Sequence, residues 1–598
     1  MRSWPAKALL LGGAASLLIA IPAFSQESAP PPESLLPPGF GDPQNLPPPE
    51  EKAPPAPRRE PSVQRTQRSP AAQESPNPEE EELDALDRPR PLNYFTIPEG
   101  EARPIDVVGL LEPGNHGFAP DSFGRSNGAF LATLMQRLDA PLPSRWTSIL
   151  LRRALLSRLA APPAIHPVDW VAARADLLLR MGEADAARML VQSVDQEFYT
   201  PRMIEVAAQT ALATADPAAL CPLVGPSRSR EPVWKLAEGM CAALEGEPSR
   251  ATALVDEARR QGGLGGVDIL LAEKVIGAGT QARRAATIRW EEVDALSPWR
   301  FGLASATGAE IPQRLVSGAS LPIQAWLARA PMVPLDQRLR AASVAASLGV
   351  FSSHSLVEIY SLIVDQNDES EQDGTVGARL HTAWADRNPG RRLEAMRTIW
   401  REGEGPHERH ARLILTAGAA AGIPPSEEAK DDAGNLIASM LTAGLDRQAA
   451  RWSAIVEDSG DQRAWALLAL AAPRPSVDLS AGRVESYIGD AGNDGRRRAQ
   501  MLVAGLAGLG RITEDDVAGL ASRLDLRFGG DDPWSAAIDK AARDREPATV
   551  ALLAAVGMQS PDWSGVSPDY LFRTVRALRS VGMDYEARMI AAEAVARL

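Results

Sequence analysis

With 598 residues and 44% hydrophobic content, the chain is too long for one hydrophobic core, which stops growing near about 250–300 residues, so several domains or a repeat array must follow. Its formal charge is −14, falling to −16 without Arg2 and Lys7, which argues against nucleic acid and anionic lipid surfaces and leaves proteins, glycans or small molecules as partners. Arginine far outnumbers lysine and alanine is abundant, a bias that reads as nucleotide composition and carries no mechanism.

Residues 1–25 have the form of a secretory signal peptide. Arg2 and Lys7 supply a positive start, Ala8 to Phe24 an apolar stretch, and Ala23-Phe24-Ser25 a small-x-small cleavage site before Gln26. Gly12, Gly13 and Pro22 favour removal over retention as an anchor, because about 17 apolar residues only reach the lower limit of a bilayer span. The expected location is therefore the periplasm or the exterior. Residues 26–92 turn proline-rich and polar, with Pro30-Pro31-Pro32, Pro47-Pro48-Pro49 and the acidic run Glu79 to Glu82. Such a composition lacks the apolar surface to offset ordering entropy, and it predicts a disordered spacer with polyproline character. Residues 93–126 form an irregular lead-in with one brief strand expected at Ile105 to Leu111.

From 127 to 598 the pattern is helical and the fold class is all-α. Apolar residues return at spacings of three and four, as at Trp146, Ile149, Leu150 and Ala154. Helix starts recur as hydroxyl followed by proline, at Thr200-Pro201, Ser297-Pro298 and Ser567-Pro568. The hydroxyl can accept an orphan backbone N–H, and proline fits the first turn. Polar residues around 365–375 and Pro473 to Pro475 mark breaks in the array, read most simply as long interhelix loops.

Only two cysteines occur, Cys221 and Cys241. An even count in an exported chain favours a disulfide between the flanking helices, and a pair of buried thiols is the alternative.

A degenerate phrase repeats along the helical region. Leu177-Leu178-Leu179-Arg180-Met181-Gly182 leads into Glu183-Ala184-Asp185-Ala186-Ala187-Arg188-Met189, and Leu578-Arg579-Ser580-Val581-Gly582 leads into Met583-Asp584-Tyr585-Glu586-Ala587-Arg588-Met589. Looser copies surround Gly444 and Gly246. In each, glycine lets one helix end in a left-handed cap, and an alanine five residues later lets the next helix approach closely. The phrasing resembles the tetratricopeptide-like helical repeats, although the full tryptophan-leucine-glycine-tyrosine signature is missing and the copies are irregularly spaced. The resemblance implies a divergent α-solenoid whose stacked hairpins lean only on their neighbours and present a long concave face.

Three segments invite a chemical reading. Gly124-Arg125-Ser126-Asn127-Gly128 matches a G-x-S-x-G nucleophile elbow, but no strand precedes it, and Ser126 or Asn127 is better read as the cap of a helix starting near Ala129. His407 and His410 could share a helical face with Glu404 or Glu408 as zinc ligands, yet a solvated pair near a helix start fits better. Gly262-Gly263-Leu264-Gly265-Gly266 lacks both the preceding strand and the lysine-serine pair of nucleotide sites. Trp299, Trp326, Trp384, Trp400, Trp452 and Trp465 read as core anchors.

These features predict no catalytic residue, no cofactor and no metal site. The expectation is a periplasmic scaffold or adaptor that binds an envelope protein or polymer through the concave face. The alternative is a peptidoglycan-acting enzyme or accessory: soluble lytic transglycosylases carry a similar α-superhelix before a catalytic domain with a Glu-Ser motif. Here Glu485-Ser486 stands without the rest of that pattern.

Overall fold

The computed structural model describes residues 101–598 apart from 228, 230, 281–286, 367–373 and 493–494. Contacts divide the chain into Met1–Arg90 and Pro91–Leu598, and every described residue belongs to the second unit. The expected signal peptide at 1–25, the proline-rich segment, the start of the lead-in and most of the 365–375 break lie outside the described residues.

The fold is all-α, with 28 α-helices among the described residues, running from Gly128–Arg137 to Asp584–Ala596. The expected lead-in strand is reduced to Val107–Val108, paired antiparallel with Leu159–Ala160. Thr200 and Ser297 accept the capping bonds of Met203 and Arg300. Ser567 opens the helix Pro568–Ser580 without accepting such a bond. None of the described helices is long and apolar enough to cross a membrane.

The four repeat glycines all sit in the left-handed region, with φ of 90° at Gly182, 84° at Gly246, 74° at Gly444 and 86° at Gly582. Each turn is closed by the same backbone bond from the following residue to the last turn of the helix, as in Glu183 N to Leu178 O at 2.9 Å and Met583 N to Leu578 O at 2.9 Å. That is the Schellman closure, which satisfies orphan carbonyls while redirecting the chain. The alanines five residues later, Ala187, Ala251, Ala449 and Ala587, are all fully buried. The same closure recurs at Ala215, Asp525 and Arg545, where no glycine announces it, through Asp216 N to Ala211 O at 2.9 Å, Leu526 N to Ala521 O at 2.8 Å and Glu546 N to Ala541 O at 2.9 Å.

The packing departs from an array in which each hairpin leans only on its neighbours. The second described helix, Arg145–Leu156, packs against Leu335–Leu348, Pro547–Gly557 and the last helix, Asp584–Ala596. A strap before the first helix adds to this contact. The main-chain N–H of Ala548 donates to Ser122 O at 3.1 Å, Ser126 Oγ donates to Glu546 Oε2 at 3.1 Å, and a Cβ at Gly124 would lie 2.0 Å from the Glu546 carboxylate. At Gly444 a Cβ would meet the Tyr585 hydroxyl at 1.8 Å, so glycine there serves both the turn and the approach of the last helix. Trp146 and Tyr585 meet edge to face at 5.7 Å beside it. The second and last helices of the unit thus share one core, a long-range arrangement for which no local sequence signal exists.

The excess of arginine has a structural role, which corrects the compositional reading. A helix leaves its last carbonyls without intrahelical donors, and here arginines of neighbouring helices reach them. Arg174, fully buried, donates to Leu155 O at 2.8 Å, Val108 O at 2.9 Å and Ser157 O at 2.6 Å. Arg180 holds Leu138 O at 2.6 Å and Met135 O at 2.5 Å. Arg392 joins two helix ends through Ala383 O at 2.9 Å, Gly422 O at 3.2 Å and Ala419 O at 3.3 Å. Arg511 does the same for Ala469 and Ala472. A planar guanidinium can serve several carbonyls at once, and a lysine ammonium is a single point charge without that fork.

Candidate functional site

The segments singled out for chemistry have structural partners. Asn127 caps the helix Gly128–Arg137 by accepting Phe130 N at 3.1 Å, while Ser126 is held on Glu546, so the elbow-like segment is a seam between the two ends of the folded unit. His407 and His410 lie on the helix Gly405–Ala421, but their surroundings diverge. His407 Nδ1 is 2.6 Å from Ser347 Oγ, and Glu408 is taken by Arg412 at 2.5 Å. Among the described residues no three His, Cys, Asp or Glu side chains converge as metal ligands would. Gly265 caps the helix Gly266–Gly279, whose first turn carries Asp268, engaged by Arg300 at 2.8 Å and 3.0 Å. Glu485 is exposed on the helix Ala481–Ala491, 3.8 Å from Arg523. The sulfurs of Cys221 and Cys241 are 2.11 Å apart, joining the helices Cys221–Ser227 and Pro232–Leu244.

Two regions concentrate charge. The first is buried where the helix Arg145–Leu156 meets the last helix. Glu593 accepts Ser144 Oγ at 2.7 Å, Arg145 N at 2.8 Å and Trp146 N at 3.1 Å, and so caps a helix from more than four hundred residues away. The Arg145 guanidinium donates to Phe351 O at 2.9 Å, Thr442 O at 3.3 Å and Ala346 O. Burial holds its pKa down to about 10, with Glu593 opposing that shift. His410 faces this knot. It is buried with Nε2 unpartnered, and burial, followed by the charges of Arg597 and Arg145, drives its pKa well below 6.5. Beside it lies a void of about 20 Å³.

The second region opens to solvent. A groove of about 440 Å³ is lined by Arg397, Trp400, Arg401, Arg409, Leu413, Asp432, Asn435 and Arg463. It runs from the end of the helix Pro389–Arg401 across Gly405–Ala421 to the starts of Ala433–Thr442 and Gln462–Ala471. Trp400 turns its N–H inward to Thr416 Oγ1 at 2.8 Å, leaving its ring carbons toward the groove beside Leu413. Trp400 is half-buried and Trp384 is 48% exposed, so these two depart from the core role, whereas Trp299, Trp326, Trp452 and Trp465 are buried.

Carboxylates are in deficit around the groove. Asp432 is bound by Arg397 through contacts of 3.0, 3.0 and 2.5 Å, and the exposed Glu394 is shared by Arg397 and Arg401 at 3.2 and 3.1 Å. Arg463 reaches only the amide of Asn435 at 2.7 Å. Asp461, one residue from Gln462, is spent on the backbone N–H groups of Arg463, Ala464 and Gly434. Solvent reaches the Arg463 side chain, yet the protein around it and then the charge of Arg498 lower its pKa. Arg409 is exposed and has no ion pair or hydrogen-bond partner among the described residues.

One signal in the sequence marks this groove. Arg409, Arg463 and Arg498 stand near the starts of their helices, where the helix dipole favours anions and a cation costs about 0.3–1 kcal/mol. Positive charge repeated toward the unfavourable end of three helices is a local inconsistency of the kind found at functional sites. Compared with known protein families, curated proteins and solved structures, the chain matches none.

Proposed function

We propose that this chain is a helical-repeat scaffold or adaptor of the bacterial cell envelope, exported by its N-terminal signal, that works by holding an anionic partner in the groove between Trp400 and Arg463. The observation that carries the reading is the uncompensated arginine cluster. In a chain of net charge −14, Arg409 stands in solvent without a carboxylate partner and Arg463 bonds the Asn435 amide with the charge of Asp461 acting on it from a distance, while Arg397 is paired with Asp432 and Glu394. Exposed guanidinium groups recognise carboxylates or phosphates through paired N–H donors, and the field of such a cluster attracts anions ahead of contact.

The test places a photo-crosslinking residue at Asn435, in the groove, and at Glu197, exposed far along the chain. In intact cells, a discrete adduct from position 435 and none from 197 supports the reading. No adduct from 435, or the same adducts from both positions, overturns it. Export is checked separately by reading the N-terminus of the protein in the periplasmic fraction, where a start at Gln26 is expected and a start at Met1 contradicts the cleaved signal.

A further inference from the structure

We infer that the groove takes an acidic peptide segment of a partner protein, with carboxylates against Arg409 and Arg463 and aliphatic side chains against Trp400 and Leu413. This assignment rests on the binding reading above and names its ligand.

Three features narrow the chemistry. First, the groove already holds one carboxylate in the manner required: Asp432 receives both Nε and Nη2 of Arg397, the two-pronged geometry that guanidinium offers to planar carboxylates. Second, the positive charge continues past the groove. Arg498 stands close enough to act on Arg463, on the helix Arg496–Gly508, which packs against Gln462–Ala471, so an extended chain bearing several carboxylates meets cations from more than one helix. Third, the floor is apolar where Trp400 and Leu413 face the opening, and its volume of about 440 Å³ lies within the range that accepts a small ligand or a few side chains. A peptide supplies carboxylates and aliphatic groups at alternating positions. Nucleic acid and anionic membranes are disfavoured because the rest of the chain is strongly negative. An anionic glycan offers the charge without the aliphatic groups.

The experiment uses the purified protein and a fluorescent hexapeptide of alternating glutamate and leucine, titrated by anisotropy at low salt. A second peptide carries glutamine for glutamate, and unlabelled oligogalacturonate serves as a competitor. The expected result is saturable binding that is at least about tenfold weaker for the glutamine peptide and for the double variant Arg409→Gln, Arg463→Gln, and that weakens as salt rises. Both arginines are exposed, and an unchanged thermal transition verifies that the variant is folded; Arg401→Gln, at the rim, supplies a second variant with a smaller expected loss. The assignment is overturned by no saturable binding, by binding indifferent to the substitutions, or by oligogalacturonate displacing the peptide at lower concentration than unlabelled peptide does. If the peptide fails while the adduct from position 435 forms in cells, the ligand class is wrong and the binding reading stands.

Discussion

Arginine does opposite work in the buried knot and in the open groove, and the difference lies in what surrounds it. Around Arg145 the guanidinium meets three carbonyls, and Glu593 meets four N–H or O–H donors, Arg597 among them. Around Arg409 and Arg463 the count is short on the anionic side. Saturation inside a fold fixes geometry, because each group left unpaired would carry the full cost of its desolvation. Deficit at the surface costs little, because water serves the unpaired groups, and it leaves donors available to a partner.

The sharpest way to break this contrast is to unbalance the knot. Glu593→Ala removes the acceptor of four donors and the counter-charge of the buried Arg145 and of Arg597. Loss of one partner from such a set costs about 3–5 kcal/mol, readable as a fall in the urea midpoint with unchanged slope. A change under about 1 kcal/mol would mean that the contact between Arg145–Leu156 and the last helix contributes little. Next in size, Arg174→Met leaves three buried carbonyls without donors, and about 1–3 kcal/mol for each group left unsatisfied makes a loss of about 3 kcal/mol or more the expected result.

A third test uses pH. In the unfolded chain the His410 imidazole titrates near 6.5, and in the fold its pKa lies well below that value. The unfolded state therefore binds more protons below that pH, so this contribution is complete above about 6.5 and is lost as pH falls toward the folded value. Comparing the native protein with His410→Leu between about pH 7 and pH 5 isolates it. The difference in stability between the two proteins should shift against the native protein as acid is added. Parallel curves would show that His410 is not held neutral by the knot. The smallest expected effect belongs to the groove, where Arg409→Gln with Arg463→Gln should not lower stability and, by removing cations near helix starts, should raise it by about 0.3–1 kcal/mol per position at most.

Much of the fold could be read from local sequence. The glycine turns at Gly182, Gly246, Gly444 and Gly582 are legible because a left-handed cap has a chemical signature, and the alanine five residues later follows from close helix approach. The equivalent turns at Ala215, Asp525 and Arg545 are not legible, since packing imposes the same backbone on residues that do not advertise it. The contact between the helix Arg145–Leu156 and the last helix is equally hidden. Glu593 looks like any glutamate in a helix, and only the arrival of Ser144 and Arg145 makes it a cap. The arginine bias is visible in the sequence, but which arginine meets a helix end and which meets water depends on the elements opposite. The groove left one readable trace, arginines near helix starts where acidic residues are favoured, and the separation of Arg409 from Arg463 in the chain conceals that they line one opening.

The most direct test is a lysine series at four positions, Arg145, Arg174, Arg409 and Arg463, each measured for urea stability and for binding of the glutamate–leucine peptide. Lysine keeps the charge and loses the fork. The account expects Arg145→Lys and Arg174→Lys to lose about 1–3 kcal/mol of stability for each carbonyl left unserved while binding persists at temperatures where they remain folded, and Arg409→Lys and Arg463→Lys to keep their stability and bind several-fold more weakly. Equal stability losses at all four positions, or undiminished binding at the last two, would contradict the division between arginines that hold the fold and arginines that hold a partner.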